Sequence, residues 1–514
     1  MPSAAVRLMQ TAAASGVSIC FANPGTTEMP LVAALDEVPQ IRAVLGLFEG
    51  VCTGCADGWA RMRRTPALTL LHLGPGLANG IANLHNAKRA RSPIVNLVGD
   101  HTRAHLAHDA PLTSDIESLA EPVSGWLRTA TSPATLAGDL SLAIAAATSP
   151  PGQIATLIIP ADVQWEECPG PVALSQPTLA ETVPPERIRA VAEQLRGSKA
   201  SGLLLGGEAL GAAGQRAAIR IAKKTGARLH IETFPARWER GGDIPGLERL
   251  PYFPEQARAS LENLETLVLA DARAPVSFFG YPGQASELTP EGTTLSLCEA
   301  GEDAESALEA LADELGAARL EIAPQNSTVS TEPDPRLNPT SVGQVLASRL
   351  PENAIVVDEA ATTGLPFYTL SESAPRHTVL SLTGGAIGQG MPCAAGAALA
   401  CPDQKVIAFQ ADGSAQYTLQ SLFTLARENL DVTVVLCSNR AYRILQIELA
   451  RSGVREPGNQ ARALTSLDDP ELDWVSLARG YGVPAERVED TADFDAALCR
   501  ALREAGPHLI EVVL

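Results

Sequence analysis

The sequence predicts an α/β protein of three domains, each built on a mainly parallel sheet flanked by helices. Three observations support this prediction. The chain has 514 residues, enough for about three domains of ordinary size. Short apolar segments alternate with helical patterns, which is typical of parallel sheets. Breaks in composition, one ending near Pro185 and one from Ile322 to Pro339, separate segments at 1–165, 186–320 and 338–514.

Each segment contains apolar runs of strand length, which we expect to form the sheets. The predicted strands are Ser18–Ala22, Arg42–Leu47, Ala67–Leu73, Ile94–Val98 and Ala155–Ile159 in the first segment, Gly202–Leu205 and Arg228–Ile231 in the middle segment, and Ala354–Val357, Lys405–Gln410, Thr433–Cys437 and Leu509–Val513 in the last.

Charge and composition exclude several classes of function. The 39 basic and 59 acidic residues give a net charge of −20, which repels nucleic acid and anionic membranes. Aromatic residues make up only 4% of the chain, which disfavours base-stacking surfaces. No apolar run reaches the roughly 18 residues of a membrane helix. Nine scattered cysteines, an odd number, are typical of a reduced cytoplasmic protein.

The most informative motif follows the predicted strand Lys405–Gln410. Asp412, Gly413 and Ser414 come directly after this strand, and a helical pattern begins at once. A carboxylate at a strand end can hold a divalent cation, and the free N–H groups of a helix start can hold phosphate oxygens. The motif therefore predicts a site for a metal and a phosphate.

A second strand end supplies a further ligand for the same site. Gly413 and Ser438 are separated by 24 residues, the length of one crossover helix and one strand. We therefore expect the end of Thr433–Cys437 to lie beside Asp412. Asn439 follows this strand and offers a hard oxygen suited to Mg²⁺.

Together these motifs resemble the cofactor site of thiamine-diphosphate (ThDP) enzymes, usually Gly-Asp-Gly followed by Asn-Asn. Ala411 and Ser438 depart from that pattern, but neither occupies a metal-binding position. The resemblance implies that Mg²⁺ is bound by Asp412, Asn439 and the carbonyl of Ala441. It also implies a set of cofactor-binding residues around this ion, namely Asp412, Gly413, Ser414, Asn439, Ala441 and Tyr442.

The first segment resembles the pyrimidine-binding domain of the same enzymes. The matching segments are Phe21–Glu28, Leu47–Gly50 and Ala56–Arg61. Acetolactate synthase and benzoylformate decarboxylase are in the most similar subgroup. The resemblance implies that Asn23, Pro24 and Gly25 bind the cofactor. It also implies that Glu49 bonds to N1′ of the aminopyrimidine, so that N4′ can remove the C2 proton of the thiazolium.

The glycine-rich segment Thr383–Pro392 resembles the loop that bends ThDP into its V shape. The match puts Ile387 between the two rings and the carbonyl of Gly385 near N4′. Without the resemblance, the segment would be interpreted only as a loop leading into a helix.

Three residues are candidates for contact with substrate: Thr26, His72 and Glu359. The segment Leu71–Gly76 mixes two relatives, because Gly-Pro-Gly resembles acetolactate synthase and the histidine resembles benzoylformate decarboxylase. His72 either moves protons near C2 or is a satisfied histidine at a strand end. Thr26 occupies a substrate-side position of the decarboxylase, and capping of the loop is the alternative.

The resemblance covers nearly the whole chain. It implies a pyrimidine domain at 1–165, a Rossmann-like middle domain at 186–320 and a diphosphate domain at 338–514. It implies an acetolactate synthase-like decarboxylase and carboligase that acts on 2-oxo acids with ThDP and Mg²⁺, through a C2 ylide and an enamine. A simple decarboxylase of the benzoylformate type or a 2-hydroxyacyl-CoA lyase is the alternative. The resemblance also implies a homodimer or homotetramer with active sites between subunits.

A further expectation concerns FAD, the second cofactor of some related enzymes. FAD is not expected, because the middle segment is short and lacks G-x-G-x-x-G, and Gly125 replaces a lysine of acetolactate synthase.

A cofactor-binding regulatory homologue without activity is the alternative from a different class of function. The retained Glu49, Asp412 and Asn439 argue against it, since an inactive copy does not need the activating glutamate.

Overall fold

The computed structural model describes residues 2–168, 174–319 and 332–514. Residue 320, the last of the predicted middle domain, and residues 322–331 of the predicted connector lie outside these ranges. The chain divides into two compact units. The first comprises Met1–Thr178, Val329–Ser371 and Leu382–Leu514, and the second comprises Leu179–Thr328 and Glu372–Ser381.

The amino-terminal part of the first unit contains a parallel sheet in the order β2-β1-β3-β4-β6-β5. Its strands are β1 (Ile19–Asn23), β2 (Arg42–Leu45), β3 (Ala67–Leu71), β4 (Ile94–Asp100), β5 (Trp126–Thr129) and β6 (Ile154–Pro160). Its helices are α1 (Ala4–Ala14), α2 (Met29–Glu37), α3 (Glu49–Arg63), α4 (Leu73–Ala90), α5 (Ile116–Ala120), α6 (Pro133–Thr148) and α7 (Ala161–Trp165). The inner strands β3, β4 and β6 are buried along their whole length, because helices cover both faces.

The second unit contains a parallel sheet in the order β10-β8-β7-β11-β12. Its elements up to residue 319 are β7 (Ser201–Leu205), β8 (Arg228–Ile231), β9 (Trp238–Arg240), β10 (Glu248–Arg249), β11 (Thr266–Ala270) and β12 (Thr294–Cys298), with helices α8 (Pro185–Gly197), α9 (Ala212–Thr225), α10 (Pro254–Leu261) and α11 (Ala304–Glu314).

The remaining strands are β13 (Ala354–Glu359), β14 (His377–Ser381), β15 (Val406–Ala411), β16 (Val432–Ser438), β17 (Ala485–Val488) and β18 (His508–Val513). In the first unit, five of them form parallel pairs in the order β17-β18-β16-β15-β13. In the second unit, β14 runs antiparallel to β9. The helices are α12 (Pro339–Arg349), α13 (Leu365–Leu370), α14 (Gly390–Ala400), α15 (Asp412–Ala415), α16 (Ser421–Arg427), α17 (Arg443–Arg451), α18 (Asn459–Ala463), α19 (Trp474–Gly480) and α20 (Thr491–Arg503).

The predicted fold class is confirmed: three mainly parallel sheets are flanked by helices. Each strand predicted from an apolar run is present, with ends that shift by a few residues. The boundaries 1–165, 186–320 and 338–514 stay a prediction. All nine cysteines lie in the described ranges, and none of them forms a disulfide there. Among the helices in those ranges, none combines the length and apolar character that crossing a bilayer requires.

Helices α3 and α14 pack at a contact between backbones. A Cβ on Gly58 would lie 2.0 Å from the carbonyl oxygen of Cys393, and a Cβ on Gly396 would lie 1.9 Å from that of Cys55. Such distances are shorter than any van der Waals contact, so only glycine allows the two helices to approach this closely. The contact is important for the site, because Glu49 begins α3 and the glycine-rich loop leads into α14.

We expect Gly396→Ala to destabilise the protein, because the added methyl group must separate α3 from α14. The free energy of unfolding should fall by about 1–3 kcal/mol, the usual cost of adding atoms to a packed core. Gly480→Ala is the matched control, since a Cβ there meets no atom within 4 Å. Denaturant titration of both variants measures the difference, and equal stabilities would contradict the packing described.

Candidate active site

The site lies where neighbouring parallel strands end. Strands β15 and β16 pair in parallel up to Ala411 and Cys437, so the residues that follow them emerge side by side. Asp412 follows the first strand, and Asn439 follows the second. The two strand ends are adjacent, as the 24-residue spacing predicts.

Asp412 is a buried carboxylate held by backbone groups. Its Oδ1 accepts from the N–H of Gly413 at 2.8 Å, and its Oδ2 accepts from the N–H of Arg440 at 2.6 Å. Arg440 has a φ of +54°, a left-handed conformation that points its N–H at the carboxylate. Its guanidinium instead pairs with Glu471 at 2.6 Å. Burial raises the pKa of Asp412 above its ordinary value, although the backbone donors oppose that shift.

The donor set around Asp412 fits Mg²⁺. Oδ1 of Asn439 accepts from the backbone N–H of Ala441 at 3.0 Å. In the described part of the chain, no cluster of three or more His, Cys, Asp and Glu side chains could hold a metal ion. An ion here would therefore be coordinated by one carboxylate and by neutral oxygens. These are hard ligands of the kind that Mg²⁺ accepts together with phosphate oxygens. In the same ranges no cationic side chain pairs with Asp412, so a bound cation would offset the cost of burying its charge.

The turn after Asp412 is tightly packed. A Cβ on Gly413 would lie 2.5 Å from Cε1 of Tyr442, so the ring of Tyr442 covers this position only because it is glycine. Ser414 is buried, and its hydroxyl donates to the carbonyl of Ala411 at 3.1 Å. Burial raises the pKa of Tyr442, which precedes α17.

The loop before α14 is anchored by Glu359, at the end of β13. One carboxylate oxygen accepts from the N–H groups of Gly388 at 2.7 Å and Gln389 at 3.1 Å, and the other accepts from Gly390 at 2.8 Å. Burial raises the pKa of this carboxyl, while the three donors oppose the rise. Glu359 thus shapes the start of α14, and its contact with substrate stays a prediction.

Two glycines of this loop adopt left-handed backbone conformations. Gly385 is exposed and has a φ of +74°, and Gly388 has a φ of +99°. A Cβ on Gly388 would also lie 2.6 Å from Cβ of Tyr417. Ile387 is half-buried between them. Glycine at both positions allows the backbone to bend sharply on either side of this apolar side chain.

Glu49 is the first residue of α3 and is only 8% exposed. Its Oε2 accepts from Nδ2 of Asn79 on α4 at 3.0 Å. A Cβ on Gly76 would lie 3.2 Å from Oε1, so glycine there keeps this second oxygen uncrowded. The sequence did not single out Asn79, because nothing local links it to Glu49.

His72 is paired with a residue that the sequence analysis missed. Its Nδ1 lies 2.8 Å from Oε2 of Glu28, a fully buried carboxylate that also accepts from the N–H of Gly25 and the hydroxyl of Thr27. Leu73, which follows the histidine, has a φ of +54°, a strained conformation for a residue with a side chain. An acid three residues after a glycine, just before a helix, was the only signal that the sequence offered for Glu28.

The remaining predicted residues follow β1. Gly25 lies against His72, since a Cβ on it would be 2.3 Å from the imidazole Cγ. Asn23 and Pro24 are half-buried, and Thr26 is exposed. Their contacts with cofactor and substrate stay predictions.

Comparison with known proteins identifies the family. Residues 3–119 match the family model "Thiamine pyrophosphate enzyme, N-terminal TPP binding domain", and residues 363–512 match "Thiamine pyrophosphate enzyme, C-terminal TPP binding domain". These matches cover the two parts of the chain that hold Glu49 and Asp412.

Relatives match over almost the full length. A Mycobacterium tuberculosis protein provisionally named acetolactate synthase large subunit IlvX is 49% identical over 99% of this chain and 98% of its own. Benzoylformate decarboxylase of Pseudomonas aeruginosa is 29% identical, over 97% and 96%. The solved structure of Rhodococcus jostii 4-hydroxybenzoylformate decarboxylase has a TM-score of 0.87 at 24% identity, over 99% and 98%, which supports the fold. This chain therefore belongs to the thiamine-pyrophosphate-dependent enzymes related to acetolactate synthase and benzoylformate decarboxylase.

Proposed function

We propose that the protein uses ThDP and Mg²⁺ to decarboxylate a 2-oxo acid and to join the resulting fragment to an acceptor, as acetolactate synthase does. When bound, the cofactor supplies a nucleophilic carbon that attacks the substrate carbonyl and stabilises the charge left by CO₂. The observation that carries this proposal is the buried carboxyl of Glu49, fixed at the start of α3.

Glu49 is suited to hold a proton at the aminopyrimidine. Asn79 occupies Oε2, so Oε1 is the oxygen left to meet N1′ of the cofactor. A carboxyl group shielded from water shares its proton with a ring nitrogen more readily than an exposed one. The helix contact of α3 with α14 keeps this carboxyl in a fixed place.

The metal would be held by Asp412, Asn439 and the carbonyl of Ala441, and its role would be to bind the diphosphate. The chain carries a net charge of −20, so a highly charged anion needs a cation at its binding site. Asp412 and Asn439 follow two paired strands that are almost entirely buried, which favours a single geometry for the ligands.

Simple decarboxylation of the benzoylformate decarboxylase type is a second candidate, and the His72–Glu28 pair favours it. With Nδ1 of His72 placed 2.8 Å from the Glu28 carboxylate, we assign the Nδ1 proton to that hydrogen bond, which leaves Nε2 to give or take a proton. The side chain of His72 is 23% exposed, so a ligand can reach it. A proton donor near the reacting carbon favours release of an aldehyde over transfer to an acceptor.

We expect Glu28→Gln to lower turnover by about ten- to a hundredfold, because His72 loses the carboxylate that orients its imidazole. ThDP affinity should not change, since the glutamine oxygen can still accept from the N–H of Gly25 and no described contact links Glu28 to the residues that follow β15 and β16. Thr27→Val is the control, because it removes a hydroxyl from the same cluster and keeps the carboxylate. The pH profiles of kcat for the three proteins give the answer, and identical profiles would mean that His72 does not act through Glu28.

We further propose that the middle domain binds no catalytic flavin. In the second unit, the N–H of Gly207 after β7 donates to Glu232 at 3.3 Å, and that of Glu208 donates to Asp271 at 2.9 Å. A dinucleotide fold uses N–H groups at this position for the phosphates of its ligand. Here two carboxylates of the protein occupy them and would also repel a phosphate.

Purified protein is accordingly expected to lack the absorption of a flavin and to keep full activity after FAD is added or omitted. Asp271→Asn tests whether these carboxylates keep a flavin out, because Asp271 follows β11 and its negative charge lies against the loop after β7. A yellow protein with stoichiometric flavin, losing activity when the flavin is removed, would contradict this prediction.

The assembly and compartment follow from the same proposal. We propose a cytoplasmic homodimer or homotetramer with active sites between subunits, which acts on a small-molecule substrate. The cysteines are scattered and form no disulfide in the described ranges, which supports a reducing compartment. Light scattering after size-exclusion chromatography measures the assembly, and a stable monomer with full activity would contradict it.

A substrate screen tests the proposed function. Purified protein with ThDP and Mg²⁺ is incubated with 2-oxo acids, singly and in pairs, and with 2-hydroxyacyl-CoA compounds. Carboligation gives CO₂ and a 2-hydroxy ketone or acid, simple decarboxylation gives CO₂ and an aldehyde, and the lyase reaction gives an aldehyde without CO₂. Bound ThDP with no product from any substrate would favour an inactive regulatory homologue.

A further inference from the structure

Asn86 on α4 binds the glycine-rich loop with both ends of its amide. Its Nδ2 donates to the carbonyl of Ala386 at 2.7 Å, and its Oδ1 accepts from the N–H of the same residue at 3.2 Å. Asn86 is fully buried, and its own carbonyl accepts from the hydroxyl of Thr383 at 2.7 Å. An amide that satisfies both backbone groups of one residue fixes the position and direction of the chain at that residue.

The loop approaches α4 closely around this contact. A Cβ on Gly384 would lie 2.6 Å from Oδ1 of Asn86, so the loop reaches the asparagine only because this position is glycine. Nε2 of His85 also lies 3.1 Å from the carbonyl of Gly384. Two consecutive residues of α4 thus contact the loop at Thr383, Gly384 and Ala386.

The same helix holds Glu49. Asn79, Asn83 and Asn86 are spaced by four and three residues and therefore lie on one face of α4. Asn79 binds the Glu49 carboxylate, and Asn83 donates to the carbonyls of Gly50 and Gly388, at 2.8 and 3.3 Å. One face of one helix therefore contacts both the start of α3 and the loop before α14.

We propose that Asn86 is a positioning residue, which sets the loop carrying Gly385 and Ile387 at a fixed distance from Glu49. This inference rests on the proposed function, in which the loop bends ThDP and Glu49 meets its aminopyrimidine. Removing the amide leaves the N–H and carbonyl of Ala386, a half-buried residue, without this partner, so we expect the loop to shift until water or another group replaces it. The thiazolium and aminopyrimidine rings depend on the loop, whereas the diphosphate depends on Asp412.

Two measurements on cofactor-free and cofactor-bound protein test the proposal. In Asn86→Ala without cofactor, hydrogen exchange at the amide of Ala386 should accelerate. By calorimetry with Mg²⁺, the affinity for ThDP should fall by about tenfold or more, the effect of losing one or two hydrogen bonds, while the affinity for inorganic pyrophosphate stays unchanged. Gly384→Ala, which displaces the loop from the other side, should reproduce both effects, and it decides the matter if Asn86→Ala does not fold.

Asn96→Ala is the matched control. Asn96 is also fully buried, but its amide bonds to Thr69 at 2.7 Å and Thr156 at 3.0 Å within the first sheet. It should lower stability without changing exchange at Ala386 or the ratio of ThDP to pyrophosphate affinity. Equal changes in Asn86→Ala and Asn96→Ala, or a parallel loss of pyrophosphate binding, would overturn the inference. Wild-type protein that binds no ThDP would instead overturn the proposed function.

Discussion

Glu49→Gln is expected to abolish turnover while ThDP still binds. Glutamine keeps the shape of the side chain and can still accept from Asn79, so the start of α3 should be undisturbed. An amide cannot share a proton with N1′, so the C2 proton of the bound cofactor should no longer exchange with solvent at an enhanced rate. Calorimetry measures binding, and NMR of the acid-quenched cofactor measures hydrogen–deuterium exchange.

The control for this variant is Asn79→Ala, which leaves the carboxyl in place and removes only its donor. It should slow exchange without abolishing it. Wild-type exchange in Glu49→Gln would show that the carboxyl does not activate the cofactor. Loss of ThDP binding in the same variant would show that Glu49 serves affinity and not activation.

Asp412→Ala is expected to weaken ThDP binding by orders of magnitude. The start of the short helix α15 offsets at most about half a unit of charge, so a cation must neutralise most of the diphosphate. Asp412 is the one acidic side chain that we assign to that cation. A chelator added to the wild-type protein should have the same effect, because it removes the ion itself.

Two further variants define the site. Asn439→Ala should weaken binding less, since water can replace a neutral oxygen ligand more readily than a carboxylate. Asp403→Ala removes the same charge from an exposed position before β15 and should have no effect. Calorimetric titration of ThDP with and without Mg²⁺ compares them. Equal affinity in both conditions, or an unaffected Asp412→Ala, would rule out the metal site.

The sequence predicted the inner strands of the amino-terminal sheet, whereas in the second unit it missed the inner strand β11, which is buried along its whole length. Inner strands such as β3, β4 and β6 are buried on both faces, so they are continuous apolar runs that can be recognised directly. Strands β5 and β17 lie at sheet edges and are partly exposed, so polar residues interrupt them and no run is visible.

In the candidate site, the sequence predicted residues that follow recognisable strands but not the partners that fix the other side chains. Asp412 and Asn439 were predicted because each follows a recognisable strand. The partners that fix the other side chains are distant in sequence: Asn79 is 30 residues from Glu49, and Glu28 is 44 residues from His72. No local pattern reports such contacts, because they exist only once the chain has folded.

The glycine contact between α3 and α14 has an evolutionary consequence. It is made largely by main-chain atoms, which every sequence has, and it requires that Gly58 and Gly396, together with Gly54 beside the side chain of Pro392, remain glycine. Mutations in loops that face a substrate can therefore accumulate without disturbing the spacing of these two helices. A relative with a different substrate could inherit the same cofactor geometry unchanged, so specificity and activation can diversify independently in this architecture.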